Sequence, residues 1–168
     1  MQSPIDIRTM TAADLPAVLW IQALCYTDVT PESRQSLHSK LEASRSTCLI
    51  ARIGQGVAAY LISLPWHHGQ PPALNEPTCR LPPSPNCLYL HDLAVAPQAR
   101  ASGAGRALVD AFLSRLKQSD LGRASLVAVQ DSAPYWERHG FRAMPVSPAL
   151  KASLATYGAR AAYMERAA

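Results

Sequence analysis

Leu88-Tyr-Leu-His-Asp-Leu-Ala-Val95 reads as a strand that stops at Pro97, and Arg100-Ala-Ser-Gly103-Ala-Gly105 follows it directly. From Ser102 or Gly103 onward Val109, Phe112, Leu113 and Leu116 recur at helical spacing, and Gly122 is a natural C-terminal stop. The glycines therefore sit in a turn between strand and helix. They permit backbone angles closed to other residues and let main-chain N–H groups approach a ligand closely. The first N–H groups of a helix lack internal partners and lie at the positive end of its dipole. Arg100 and Arg106 add charge at the edges, so the window reads as a cradle for a phosphate. Two other phosphate loops fail on residues. No Lys-Ser or Lys-Thr follows the glycines, as a Walker A loop requires, and Arg106-Ala-Leu108 supplies no third glycine for a dinucleotide fingerprint.

Working outward, Ile5-Asp-Ile-Arg8 alternates like a short strand, and Thr11 with Asp14 forms a capping box ahead of Leu15, Val18, Leu19 and Ala23. Thr30-Pro31 predicts the start of a second helix running to about Ala43. Thr47 to Ile53 and Val57 to Leu64 flank Gly54-Gln-Gly56 as a hairpin. Seven of the fourteen prolines fall between Pro65 and Pro85, so that stretch is a long irregular loop, of the kind that is usually functional or mobile. Beyond the glycine turn, Ser125 to Val129 is a strand, Ser132 to His139 a short helix with Gly140 as its exit, and Phe141 to Met144 and Ala159 to Met164 are strands. The predicted order is β-α-α-β-β-β-α-β-α-β-β, with residues 1–168 forming one domain.

The composition excludes several classes. With 48% hydrophobic and 17% charged residues the chain is globular, and no apolar run is long enough to span a bilayer. Met1 to Arg8 carries no basic patch followed by an apolar stretch, so a secretory leader is not expected and the cytoplasm is. Cys25, Cys48, Cys79 and Cys87 include no CxxC pair and read as reduced thiols rather than a disulfide scaffold or zinc site; no metal is expected. A net charge of +4 is only a mild bias toward polyanions, and no basic cluster with interleaved aromatics points to nucleic acid. His67-His68 reads as part of a solvated turn, and Tyr26, Tyr60 and Trp66 as aromatics of the core or of the acceptor side.

Leu93-Ala-Val95-Ala-Pro97-Gln-Ala-Arg100-Ala-Ser-Gly103-Ala-Gly105-Arg106-Ala-Leu108 resembles the acyl-CoA signature of the GCN5-related N-acetyltransferase (GNAT) superfamily, whose core is R/Q-x-x-G-x-G/A. Tyr135-Trp-Glu-Arg-His-Gly140-Phe141 resembles the family's short helix and its GF exit, and the element order matches across nearly the whole chain. The resemblance implies an α/β GNAT fold: a mixed, mostly antiparallel sheet of about seven strands, helices on both faces, and parallel strands four and five splayed apart. It implies acetyl-CoA as co-substrate. The pantetheine arm would pair with backbone around Leu93, Ala94 and Val95, and the diphosphate would sit on amides of Arg100, Ala101, Ser102, Gly103, Ala104 and Gly105 beside Arg106. Ser132 and Tyr135 would line the same cleft.

The implied reaction is attack of a neutral amine on the thioester in a ternary complex. It needs a base, an oxyanion donor and an easy exit for the thiolate. The backbone N–H near Leu93 is the implied oxyanion donor. Asp92 is the first candidate base and His91 the second, since imidazole titrates near working pH. Strand alternation places Asp92 with Leu90 and Ala94, and His91 with Tyr89 and Leu93, so one of the two would face the acceptor. Trp136 occupies the family's usual tyrosine position. Indole is no acid, so either Tyr135 replaces the tyrosine or no side-chain acid is used. The expected acceptor is a primary amine of a small molecule or peptide, and the expected assembly a homodimer. The rival reading is an acyl-CoA-binding regulatory domain without catalysis, which Trp136 favours.

Overall fold

The computed structural model describes residues 3–168. Seven strands, β1 (Ile5–Thr9), β2 (Leu49–Ile53), β3 (Gly56–Trp66), β4 (Cys87–Val95), β5 (Arg123–Ala128), β6 (Arg142–Ala143) and β7 (Ala162–Ala167), form one sheet in the order β1-β2-β3-β4-β5-β7-β6. All neighbouring pairs are antiparallel except β4 and β5. The GNAT-type sheet expected from the sequence is thus the one found.

Helix α1 (Leu15–Cys25) and helix α2 (Arg34–Ala43) cover one face; α3 (Ala104–Gln118) and the short α4 (Ala133–Arg138) cover the other. The apolar stripe of α3 sets Leu108, Val109, Phe112 and Leu116 against Leu49, Leu61, Leu88, Leu90 and Leu126. On the opposite face Leu15, Val18, Ile21, Leu37 and Leu41 pack on Ile50, Tyr60 and Ile62. Each fully buried leucine or isoleucine contributes roughly 1.5–3 kcal/mol. Among the described residues no helix is long and apolar enough to cross a membrane.

The largest differences from the sequence reading are the start of the second helix, a helix before β7 and the start of the last strand. The second helix starts at Arg34, because Ser33 Oγ accepts the Ser36 N–H at 3.1 Å and so caps it; Thr30 and Pro31 remain outside the helix and line the cleft described below. A helix absent from the predicted order, α5 (Pro148–Ala155), lies before β7. Its signal was present: Ser147 Oγ accepts the Leu150 N–H at 3.1 Å, and Pro148 fills the first turn. The last strand begins at Ala162 rather than Ala159, since 148–161 is spent on that helix and its exit.

Two irregularities of β4 shape the site. The parallel ladder joins Leu88–Leu90 to Ala124–Leu126 and goes no further, although β4 continues to Val95 and β5 to Ala128. The strands therefore splay. On its other edge β4 pairs Asp92 with Ile62 and Leu90 with Ser63, leaving His91 without an opposite residue, which is a β-bulge. The bulge shifts the phase of alternation. Leu88, Leu90, Leu93 and Val95 pack toward α3, whereas Asp92 bonds with Tyr60 and Ala94 packs in the α1–α2 cluster. Strict alternation, which put Asp92 with Leu90 and made His91 its alternative, does not hold. Both side chains reach the α1–α2 side.

Candidate active site

A cleft of about 570 Å³ opens where β4 and β5 part. One end is the glycine turn with Ser132 and Tyr135; the other is formed by the α1–α2 connection, Leu74 of the proline-rich loop, and Tyr157.

The turn has the backbone its sequence suggested. Ala101 (φ 68°) and Gly103 (φ 91°) are left-handed and alternate with right-handed or extended residues, a pattern that aims successive N–H groups at one point. Gly105 is required by close approach: a Cβ there would stand 3.1 Å from Val95 Cγ2 and 3.2 Å from Tyr135 Oη. The set of free amides is narrower than the sequence implied. Arg100 N–H donates to the Pro97 carbonyl, Ser102 N–H to the Ala99 carbonyl, and Ala104 N–H to Ser102 Oγ. The amides of Ala101, Gly103, Gly105 and Arg106 have no protein acceptor among the described residues. Of the flanking charges, Arg100 lines the cleft with its Nη2 4.0 Å from Cys25 Sγ, while the Arg106 side chain is 83% exposed beside Asp110.

Along β4 the splayed edge is met by α1. The Leu93 carbonyl accepts from Tyr26 Oη at 3.0 Å and the Val95 carbonyl from Cys25 Sγ at 3.2 Å, whereas Ala96 N–H goes to Ala58 on β3. Alternate residues point their backbone to opposite edges, so the Leu93 and Val95 N–H groups lie on the open edge. Ala94 turns its backbone toward β3 and lies opposite Tyr60, so it forms wall rather than hydrogen bonds.

Asp92 is buried and held from two sides: Tyr26 Oη donates to Oδ1 at 2.5 Å and Tyr60 Oη to Oδ2 at 2.7 Å. Burial raises its pKa above the ordinary value, against the pull of those two hydroxyls. Burial and the neighbouring carboxylate likewise hold the Tyr26 phenol well above its usual range.

His91 follows a different course from the one sequence suggested. Its ring has no exposed surface, Nε2 bonds to Glu32, and Nδ1 is buried without a partner among the described residues. Glu32 in turn accepts from Lys40 Nζ at 2.7 Å and from Ser36 Oγ at 2.6 Å, and its backbone is clamped by the Gln22 side chain, whose amide exchanges two 3.0 Å bonds with it. Burial works against the Glu32 carboxylate, yet His91 and Lys40 outweigh it and hold its pKa far below the ordinary range. Neither Glu32, Lys40 nor Gln22 was singled out by sequence. The available signal was the spacing of Ser36 and Lys40, four residues apart on one face of α2, with Glu32 four residues earlier, just ahead of the cap at Ser33.

On α4, Trp136 is buried and meets Phe141 edge-on with ring centroids 5.7 Å apart, so it is a core side chain that only edges the cleft. Tyr135 is the residue of this helix that brings a hydroxyl to the cleft, beside Gly105. Burial raises its pKa. Ser132 stands at the N-terminal position of α4 but makes no capping bond with its side chain.

The fold is shared with solved structures at low identity. Ard1 from Thermoplasma volcanium superposes with TM-score 0.75, 17% identity and 97% of each chain covered. The GphF GNAT-like decarboxylase in complex with isobutyryl-CoA gives TM-score 0.76, 16% identity, and covers 96% of this chain and 98% of that one. The PaiA N-acetyltransferase from Thermoplasma acidophilum in complex with coenzyme A gives 0.69, 13%, and 98% and 99%. No curated protein matches the sequence significantly. The sequence model of the acetyltransferase (GNAT) family matches residues 15–141, which span the cleft from α1 to the Gly140-Phe141 exit. With that match over most of its length, the chain belongs to the GNAT acetyltransferase family.

Proposed function

We propose that this protein is a cytoplasmic N-acetyltransferase that moves the acetyl group of acetyl-CoA to a primary amine by direct attack in a ternary complex. The observation that carries the reading is the turn at 100–106, where the amides of Ala101, Gly103, Gly105 and Arg106 have no acceptor among the described residues at the start of α3 and belong to residues that line an open cleft. Unpaired N–H groups at a helix start form a site for an anion, and the diphosphate of coenzyme A supplies one. The solved relatives bound to coenzyme A or isobutyryl-CoA support the same occupant. The four free cysteines fit a reducing compartment.

The residues present suit the coenzyme. Ala101, Gly103, Gly105 and Arg106 would hold the diphosphate by main chain, with Arg100 nearby. The open edge at Val95 would meet the pantetheine arm, and the coenzyme supplies the acetyl thioester. The Leu93 N–H is the donor for the developing oxyanion. Asp92 takes the proton from the acceptor ammonium through the Tyr26 hydroxyl: Tyr26 passes its own proton to Oδ1 and receives one from the amine. Its raised pKa moves Asp92 toward the working range of a base. The amine nitrogen then bonds to the carbonyl carbon, the C–S bond breaks, and the second proton of the nitrogen passes to the departing sulfur or to water. The leaving sulfur needs no side-chain acid, since a thiol with pKa about 8.5 departs readily as thiolate. Tyr135, placed against Gly105, binds the coenzyme rather than protonating it. His91 holds Glu32 and does not touch the amine.

The test is release of free thiol from acetyl-CoA with a pooled amine library, alongside calorimetric binding of acetyl-CoA. Turnover on at least one amine supports the transferase. Tight binding with no turnover supports the second reading, an acyl-CoA-binding regulatory domain, which the buried Trp136 at the usual tyrosine position favours.

A further inference from the structure

The outer rim of the cleft carries positive charge that the fold itself does not use. On α4, Arg138 is exposed and sets its guanidinium over the Tyr135 ring, 5.7 Å from Cζ to the centroid. It has no hydrogen bond or ion pair among the described residues. The Tyr135 hydroxyl in turn stands against Gly105 in the turn at 100–106. Arg106, in the first turn of α3, has an 83% exposed side chain whose one partner is Asp110 at 3.9 Å, itself largely exposed. Exposed pairs of that kind bind weakly.

His139 marks where these charges converge. Its ring centroid lies 4.9 Å from that of Tyr135. Burial lowers its pKa first of all; Arg106, Arg138 and Arg166 push it the same way, and Asp110 opposes them. Arg166, from β7, commits its donors to the His139 and Ala167 carbonyls at 2.7 and 3.1 Å, so it adds charge more than contact. Three guanidinium groups from three elements thus gather about one imidazole, with Asp110 as the carboxylate among them. Glu137, the other acid of α4, is exposed, and helical spacing turns it away from Tyr135.

A dianion would relieve this crowding, and guanidinium matches phosphate oxygens in geometry as well as in sign. Coenzyme A carries such a group. Beyond its diphosphate comes an adenosine ribose with a 3′-phosphate, and a phosphate monoester holds about −1.5 to −2 charges at neutral pH. With the diphosphate on the amides of 101–106 and the pantetheine arm directed to Val95, that ribose leaves from the opposite end of the diphosphate. Two places there could receive it. One is a hollow of about 520 Å³ between Ser3, Ile5, Gly56 and Ser102, where Arg100 is the single cationic side chain among the described residues. The other is the rim with Arg106 and Arg138, which has the greater unmet charge. We infer that Arg106 and Arg138 take the 3′-phosphate beside His139, and that the protein thereby selects coenzyme A over its 3′-dephospho form. The inference rests on the coenzyme reading above.

The experiment is calorimetry on the full chain with coenzyme A and with 3′-dephospho-coenzyme A. Wild type is expected to bind coenzyme A about tenfold tighter or more, the worth of one charge-assisted hydrogen bond, and added salt should narrow the gap. Arg138→Gln should close most of that gap by weakening coenzyme A alone. Adding Arg106→Gln, which keeps the amide at 106, should abolish it. Proton NMR gives a readout that needs no variant: coenzyme A should raise the His139 titration midpoint above its value with the dephospho form, because a dianion beside the ring favours the imidazolium. Equal affinities in wild type, or the same His139 midpoint with both compounds, overturn the inference and leave the coenzyme site standing. A gap that survives in the double variant overturns it too, and its closing in Arg100→Gln would put the phosphate in the hollow by Ser102. No binding of either compound overturns the coenzyme reading, and the inference with it.

Discussion

Tyr26 Oη donates to Asp92 Oδ1 at 2.5 Å and also lies 3.0 Å from the Leu93 carbonyl, joining the end of α1 to the splayed edge of β4 across 66 residues of sequence. A phenol so placed touches both the buried carboxylate and the strand edge where the thioester would lie. Tyr60 secures the other carboxylate oxygen at 2.7 Å, so Asp92 is fixed in orientation as well as in charge.

Asp92→Asn is expected to lower kcat by about 100-fold or more, the usual worth of a positioned base, with acetyl-CoA affinity unchanged. Burial raises the Asp92 pKa above the ordinary 3.8, so its ionised form weakens the fold once pH climbs past that value. The asparagine variant should therefore melt at or above the wild-type temperature at pH 7. A large fall in melting temperature would make Asp92 a structural residue.

Tyr26→Phe removes the relay but keeps the ring. We expect kcat to drop by about tenfold or more while the melting temperature stays within a few degrees. An unchanged kcat would leave Asp92 to act through water alone.

Lys40→Met leaves the Glu32 carboxylate to His91 and Ser36 and removes its buried ammonium, since the Lys40 and Glu32 side chains are 3% and 5% exposed. Breaking a buried pair from one side costs about 3–5 kcal/mol, readable in urea unfolding. The folded pKa of Glu32 is lowered, so its stabilisation is present above the ordinary 4.5 and is lost as pH falls below it. Wild type should lose melting temperature between pH 5 and 3 more steeply than Glu32→Gln; equal slopes would refute this.

Gly105→Val should weaken acetyl-CoA binding by about 100-fold or more, because even a Cβ meets Val95 and Tyr135 at 3.1 and 3.2 Å and the added methyls must enter the cleft. Calorimetry on the folded variant reads this directly. Native affinity would place the diphosphate elsewhere.

Tyr135→Phe is expected to raise KM for acetyl-CoA several-fold with kcat within about twofold, as for lost uniform binding. A fall confined to kcat would restore Tyr135 as the acid. Trp136→Ala should instead cost about 3–5 kcal/mol of stability, for its indole is 6% exposed and packed on Phe141.

Much of this molecule can be read from local chemistry. The 88–108 window carries its strand, its turn and its helix start in adjacent residues, since glycine placement and apolar spacing act over a few positions. The Tyr135–Phe141 segment is equally local. The mixed sheet with its parallel, splayed fourth and fifth strands follows from those motifs through resemblance, whereas α5, an eight-residue helix with two buried leucines, leaves only a faint period beside its Ser147-Pro148 start.

What the chain alone could not supply is the pairing of distant polar groups. The bulge at His91 depends on how β4 registers against β3, and one unpaired residue there carries Asp92 to the tyrosines of the α1–α2 side. The Glu32–Lys40–His91 cluster and the ties of Ser33 to Asn75 and of Tyr157 to Pro72 likewise join segments that only folding brings together. Sequence determined the glycine turn at 100–106 because its geometry is written in consecutive backbone angles. Tertiary structure decided which hydroxyls hold Asp92 and which segments border the far end of the cleft, because buried charges and hydroxyls take whichever partner packing delivers within hydrogen-bond reach.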